Sequence, residues 1–190
     1  MVGFYSGFGK TLYNIDDYKP TGFAPIGIRG AIGNYGIQLG LDYNTNIVDP
    51  SFDIHDPVSN ELLYTNTIKD NYLGAMLRFH MGDQARDVAL ILRGGIGYFF
   101  SKQTTTYSNL YLSMYPYMTN SSYKFANSIG YNGALGFSIP LPYNNIHINL
   151  EGQFNYNPRK YYGVTNYYST WCVEIGLSYN FFHIYDLGHY

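Results

Sequence analysis

Charge, cysteine and long apolar runs are all scarce in this chain of 190 residues. Charged residues make up 13% of the sequence, about half of the roughly 25% typical of soluble domains. No apolar run reaches the roughly 18 residues that a membrane-spanning helix requires. The single cysteine, Cys172, permits no internal disulfide. These absences exclude a helical membrane protein and a fold held together by an internal disulfide.

Basic clusters and ligand-binding motifs are also missing. The 11 Lys and Arg residues are scattered and the net charge is -2, so we expect no nucleic-acid partner and no polybasic lipid-binding segment. Asp53, His55 and Asp56 share one loop, but no second cluster has metal-ligand spacing. The glycines of 94–97 do not open a helix, which argues against a phosphate-binding loop. The sequence therefore predicts no cofactor and no metal.

Aromatic residues and glycine are abundant, with 23 Tyr, 12 Phe and 21 Gly. In residues 35–43, Tyr, Ile and Leu alternate with Gly, Gln and Asp, and in 146–156, Ile, Leu, Phe and Tyr alternate with His, Asn, Glu and Gln. Successive side chains of a strand point to opposite sides, so each segment has one apolar face and one polar or small face. Alternating segments of about ten residues with aromatic ends predict a transmembrane β-barrel with lipid outside and a polar lumen.

Eight strands are expected, which allows the sheet to close without an exposed edge. Short turns near 33–34, 82–86 and 140–145 alternate with longer polar connections near 15–21, 49–64, 107–120 and 161–166. This asymmetry indicates a bacterial outer-membrane barrel with both termini on the periplasmic side. The prediction is an all-β, closed antiparallel up-and-down barrel forming a single domain over residues 1–190. Its strands are placed at about 2–14, 22–33, 35–48, 65–81, 87–106, 121–139, 145–160 and 167–183, and the face assignment of the first is left open.

The alternation also assigns side chains to the two faces of the wall. We expect the lipid-facing set to include Leu39, Leu77, Leu92, Leu150 and Ile175. Each arginine within a strand core falls inward, which fits a cost of about 2–4 kcal/mol for arginine on the lipid face at the bilayer midplane. A soluble lipocalin-like or avidin-like barrel would instead place these arginines outside. The inward residues predicted to form a polar lumen network are Arg29, Gln38, Asp42, Arg78, Arg93, Glu151 and Glu174.

An eight-stranded barrel is only wide enough for its own side chains. Because buried charges without partners are strongly disfavoured, we expect these groups to form ion pairs and hydrogen bonds that plug the lumen. A gated conduit is the alternative. Cys172 is expected to be a small inward residue of the same interior.

The connection at 105–123 holds five Tyr and two Met with no charge. Tyrosine offers a large contact area and a polar tip at low entropic cost, so this segment is a candidate partner-binding loop. The alternative is that the tyrosines pack on one another above the membrane. The residues singled out for partner contact are Tyr107, Tyr111, Met114, Tyr115 and Tyr117.

The strand number, the glycine-aromatic strands and the turn-loop asymmetry resemble the small eight-stranded outer-membrane barrels of the OmpA-transmembrane, OmpX and OmpW-like kind. The segment 178–182, Ser-Tyr-Asn-Phe-Phe, is similar to their aromatic terminal strand, and 183–190 follows it as an extension. The resemblance implies a monomeric barrel with an adhesive, structural, resistance or accessory-subunit role. It implies no shared catalytic residue.

An enzyme requires a nucleophile with a positioned base. Lipid A deacylase barrels place a histidine and a serine two residues apart on the membrane face, whereas here His147 is followed by Asn149 and both fall inward. We therefore expect a non-enzymatic outer-membrane β-barrel of a Gram-negative bacterium, acting as a surface binding, structural or accessory-subunit protein. Its expected partners are outer-membrane lipid and another outer-membrane or surface protein. The alternatives are a narrow channel for small solutes and a lipid-modifying barrel enzyme.

Overall fold

A computed structural model describes residues 1–12, 21–34, 36–82, 87–142, 145–161 and 164–181, without the side chains of 159–161 and 164–167. No helix in these ranges is long and apolar enough to cross a membrane. The predicted turn at 82–86, the connection at 15–21 and the extension 183–190 lie mostly or wholly outside the described residues. The predicted connection 161–166 is wrong in extent, because the strands on either side remain paired as far as Tyr161↔Val164. The elements are β1 (Val2–Leu12), β2 (Gly22–Gly33), β3 (Ile37–Val48), β4 (Ser51–His55), β5 (Leu62–Met81), β6 (Ala89–Tyr107), α1 (Asn109–Met114), β7 (Ser121–Lys124), β8 (Ser128–Pro140), β9 (Ile146–Tyr161) and β10 (Val164–Tyr179).

Eight of these strands close into one antiparallel barrel. Its order is β1-β2-β3-β5-β6-β8-β9-β10, and β10 pairs with β1 from Val2↔Tyr179 to Leu12↔Ser169. Closure removes the barrel's free edges, which is what a hydrocarbon environment requires of a sheet. The predicted all-β, eight-stranded antiparallel barrel is confirmed.

The barrel wall has its apolar face outside and its polar face inside, the reverse of a soluble protein. The five predicted lipid-facing residues are 40–60% exposed, whereas Arg78, Arg93, Glu151 and Glu174 are 1–2% exposed. In β1, where the sequence left the faces open, Phe4 and Phe8 point outward. The predicted face assignment is therefore confirmed for these residues.

The apolar outer face has the height of a bilayer core. On β6 it runs from Leu90 to Phe100, and on β10 from Trp171 to Phe181. Both bands have an aromatic residue at the loop end, and the β10 band also has one at the turn end. At a rise of about 3.4 Å per residue and a tilt of about 40°, ten residues span about 26 Å along the barrel axis. This agrees with the apolar band of about 25 Å found in outer-membrane barrels.

The loop end is more ordered than the sequence predicted. β5 begins at Leu62 rather than 65, and β5 and β6 remain paired from Met81↔Leu90 to Tyr64↔Tyr107. β4 forms inside the predicted connection 49–64 and pairs with β5, and the predicted strand 121–139 is divided into β7 and β8. We call β4, β7 and the parts of β5 and β6 that pair with them the projecting sheet. Its strands extend the barrel wall beyond the apolar band.

The predicted connection 107–120 contains the short helix α1. Ser108 caps it, because its side chain accepts a hydrogen bond from the backbone N–H of Tyr111 at 3.1 Å. At the opposite end of the barrel, Gly33 adopts a φ of +152° in the tight β2–β3 turn, a conformation that favours glycine. Asn34 closes this turn by accepting the Ile37 N–H at 2.8 Å.

Candidate functional site

Six charged side chains meet at one level of the lumen. Each lies at an inward position of a different strand, and the register places Arg29 opposite Asp42 on β2 and β3. The same register sets two like-charged pairs side by side, Arg78↔Arg93 on β5 and β6 and Glu151↔Glu174 on β9 and β10. Neighbouring like charges are destabilising unless opposite charges approach them. Here each like-charged pair is neutralised by the other across the lumen, and the formal charges of the six groups cancel.

Arg93 and Arg29 hold the centre of this cluster. Arg93 contacts Glu151 Oε2 through Nε at 2.9 Å, Asp42 Oδ2 through Nη1 at 2.9 Å and Glu174 Oε2 through Nη2 at 3.6 Å. Arg29 reaches Asp42 Oδ2 and Glu151 Oε2 at 3.3 Å each, and also contacts Glu174. Each guanidinium therefore bridges three carboxylates, a fork geometry that suits arginine better than lysine.

Arg78 is the least satisfied member. Its Nη2 lies 3.7 Å from Glu151 Oε1 and donates to Asn149 Oδ1 at 2.8 Å, and its Nε has no hydrogen-bond partner among the described residues. Gln38 lies opposite Arg78 in register and is buried, but its Oε1 also lacks a partner in the described chain. The structure thus brings six of the seven predicted lumen residues together and leaves Gln38 beside the network.

Neutral groups complete the plug. The Tyr5 hydroxyl donates to Asp42 Oδ1 at 2.7 Å, and the Arg29 guanidinium carbon lies 3.6 Å from the centre of the Tyr5 ring. Gln153 Oε1 accepts from Arg29 at 3.0 Å and from Arg93 at 2.5 Å. Sequence reasoning missed Tyr5 because the faces of β1 were left open. The side chains of the charged residues are only 0–6% exposed.

The network lies between two cavities. The one at the turn end has a volume of only about 20 Å³ and is lined by network members, including Arg78 and Glu151. The one at the loop end has a volume of about 20 Å³ and is lined by asparagine and aromatic side chains, including Asn157 and Phe99. The plug thus fills most of the lumen at its own level and leaves a small polar pocket on each side.

A serine and a histidine also meet at the turn end of the lumen. Ser138 Oγ lies 3.4 Å from His147 Nδ1, and Asn180 Nδ2 lies 3.0 Å from His147 Nε2. In this amide orientation Asn180 donates to Nε2, so the ring proton is on Nδ1 and the histidine is a donor towards Ser138 rather than its base. The pair therefore has the hydrogen-bonding pattern of a structural contact. Among the described residues, no group of three or more His, Cys, Asp and Glu could hold a metal ion.

The candidate loop forms a continuous aromatic stack on the projecting sheet. Ring centroids are 5.1 Å apart for Tyr107 and Tyr111, 4.8 Å for Tyr111 and Tyr115, and 6.1 Å for Tyr115 and Tyr117. We call these four residues the tyrosine stack. Tyr117 is 74% exposed and Met114, on α1, is 53% exposed. The tyrosines do pack on one another, and their outer surface remains open; contact with a partner stays a prediction.

No family model and no curated protein matches this chain. Several solved structures, however, are similar to it in fold. The Neisserial surface protein A, NspA, has a TM-score of 0.60 at 13% identity, covering 95% of this chain and 96% of its own. The chain has the fold of the small outer-membrane β-barrels.

Two further structures agree with that fold. Ail, the attachment invasion locus protein of Yersinia pestis, which was solved with the heparin analogue sucrose octasulfate, has a TM-score of 0.54 at 13% identity over 94% of this chain and 96% of its own. The outer membrane protein OprG of Pseudomonas aeruginosa has a TM-score of 0.52 at 14% identity over 94% of each chain. At such low identity the comparisons establish the architecture and carry no residue roles.

Proposed function

We propose that the protein is a non-enzymatic barrel of a bacterial outer membrane that binds a partner at the cell surface through its loop end. The apolar exterior of about 26 Å supports the membrane placement. The short turns and Met1 lie at one end of the barrel, and the projecting sheet lies at the other. In outer-membrane barrels the short turns are periplasmic, so the projecting sheet faces the exterior.

The closed lumen supports binding rather than transport. A solute that crossed the barrel would have to break the contacts of Arg93 and Arg29, each of which bridges three carboxylates. The reconstituted protein should therefore show no sustained ion current in a planar bilayer. Stable unitary currents that fall when Arg78 or Glu151 is changed would favour a narrow channel instead.

The observation that carries the proposal is the exposed tyrosine stack. It is rigid, because α1 is capped by Ser108 and Tyr107 packs edge-on against Tyr64 of β5 at 5.8 Å. Exposed apolar surface that is held in place marks an interaction site, and rigid tyrosines make contacts at low entropic cost. Ail, a barrel of the same fold, was solved with a bound heparin analogue, which supports a surface-binding role for barrels of this kind.

The test is deletion of residues 108–118 with a short Gly-Ser replacement. Binding residues concentrate on loops that a rigid scaffold positions, so the variant should keep its heat-resistant folded form on a gel. Bacteria that display the parent protein should adhere to epithelial monolayers, and bacteria that display the deletion variant should not. Val58→Ser is the matched control, because Val58 is 94% exposed at the tip of the β4–β5 hairpin and lies outside the stack. Unchanged adherence after the deletion, or loss of the folded form, would overturn the surface-binding proposal.

A further inference from the structure

Three lysines lie side by side on the outer face of the wall. The register pairs Lys69 of β5 with Lys102 of β6, and Lys102 with Lys124 of β7. All three are exposed. Side chains that are directly opposite on neighbouring strands have Cβ atoms about 4.5–5.5 Å apart. The three ammonium groups therefore form a short lysine row, although no two of them are close in sequence.

Among the described residues, no carboxylate lies within ion-pair distance of the lysine row, although Asp49, between β3 and β4, is near enough to Lys69 to attract it. The next positions on the same face carry hydroxyls on the loop side and uncharged groups on the other side. These neighbours are Thr67, Thr104, Ser122, Asn71 and Phe100. Since adjacent like charges repel, an anion bound beside Lys102 would be attracted by all three lysines and would relieve that repulsion.

The height of the row indicates where that anion comes from. Lys102 follows Phe100, the last aromatic residue of the apolar band on β6, by two positions on the same face. Two residues add about 5 Å along the barrel axis to a band of about 26 Å. The row therefore lies just past the hydrocarbon core, at the level of the lipid headgroups. It faces outward, as do Leu73 and Tyr98 below it.

We propose that the lysine row binds the phosphate groups of an anionic lipid in the leaflet at the loop end of the barrel. Lysine binds phosphate as a compact point charge, and the hydroxyls of Thr67, Thr104 and Ser122 can donate to the same headgroup. Three adjacent ammonium groups favour a lipid with more than one phosphate over a simple phosphodiester. The inference rests on the proposed membrane placement and is independent of the tyrosine stack.

The experiment measures lipid binding to the barrel in phosphatidylcholine nanodiscs that are titrated with bisphosphorylated lipid A. Each Lys→Gln change should raise the dissociation constant about fivefold, since a basic residue near an anionic surface contributes about 1 kcal/mol. The triple variant K69Q/K102Q/K124Q should raise it about a hundredfold. Phosphatidylglycerol should bind more weakly than lipid A. The matched control is Lys10→Gln: Lys10 is exposed but is paired in register with Trp171 and Gly22, with no lysine beside it. It should leave the lipid A affinity unchanged within about twofold.

A second measurement separates lipid binding from a structural role. In phosphatidylcholine alone, Lys102→Gln should keep or raise the unfolding midpoint, because it removes two like-charge contacts. Lipid A should then raise the midpoint of the parent protein and leave that of the triple variant unchanged. Equal lipid A affinity for parent and triple variant would overturn the proposal, as would inorganic phosphate binding as tightly as the lipid. Failure of the parent to insert into phosphatidylcholine would instead refute the membrane placement on which the proposed function also depends.

Discussion

Replacing Glu151 by glutamine removes one charge from the centre of the lumen and hardly changes the side-chain volume. Glu151 is 2% exposed, and all three lumen arginines contact it, at 2.9 Å for Arg93, 3.3 Å for Arg29 and 3.7 Å for Arg78. In the variant, three arginines face only two carboxylates. The new amide also places an N–H donor beside guanidinium groups, which have no acceptor atom.

The loss of stability should be large. Removal of one partner from a buried ion pair costs about 3–5 kcal/mol, because it leaves a buried charge without compensation. We expect the lower part of that range, since the cavity at the turn end borders Glu151 and water there can solvate part of the excess charge. Urea titration in lipid vesicles measures it, with the fluorescence of Trp171, the single tryptophan, as the signal. Glu61→Gln is the control: this exposed carboxylate precedes β5, and its loss should change stability by less than about 0.5 kcal/mol.

A second substitution tests whether excess charge is the cause. Among the described residues, Glu151 is the only carboxylate in ion-pair contact with Arg78. The double variant E151Q/R78Q therefore restores charge balance and should be more stable than E151Q alone. An E151Q protein within about 0.5 kcal/mol of the parent, or a double variant that shows the sum of both losses, would refute the charge-balance reasoning.

Three other substitutions test packing and hydrogen bonding in the wall. A Cβ atom at Gly136 would lie 2.0 Å from the backbone oxygen of Leu150, whereas one at Gly94 meets no atom within 4 Å. Gly136→Ala should therefore lower the free energy of unfolding by about 1–3 kcal/mol, whereas Gly94→Ala should leave it unchanged. Urea titration of the two variants measures the difference. Tyr5→Phe removes the hydrogen bond to Asp42 Oδ1 and should cost about 2 kcal/mol in the same titration; a neutral result would mean that water replaces the hydroxyl.

The strands and their faces could be predicted because that information is local. A period of two is visible within ten residues, and a charge on the lipid face is too costly to be common. Hence Leu77 and Arg78, neighbours in the chain, could be assigned to opposite sides of the wall. The same reasoning missed apolar residues in the lumen, such as Met76 and Ile91, which are 1% and 0% exposed. These residues share the parity of Arg78 and Arg93, so the alternation gives their face, whereas their apolar character alone would place them on the lipid side.

Register and the ends of the strands could not be predicted from the sequence. The register between neighbouring strands depends on contacts between residues that are far apart in the chain. The sequence therefore placed Arg78 and Glu151 in one lumen but did not show that they touch, and it indicated no basic cluster where register assembles the lysine row. β4 was missed, and β7 was not separated from β8, for a related reason: both are short, and they form because the long β5–β6 hairpin offers them edges to pair with.

The account depends on a lipid-facing exterior and a closed polar interior, and spin-label accessibility along β5 tests both. With Cys172 changed to serine, nitroxides are placed singly at Leu73, Ala75 and Leu77, and at Tyr72 and Met76, in lipid vesicles. The first three should collide often with oxygen and rarely with a water-soluble nickel chelate, and the other two should be shielded from both. Frequent collisions of the chelate at positions 73, 75 and 77, or equal accessibility at odd and even positions, would contradict the inside-out barrel.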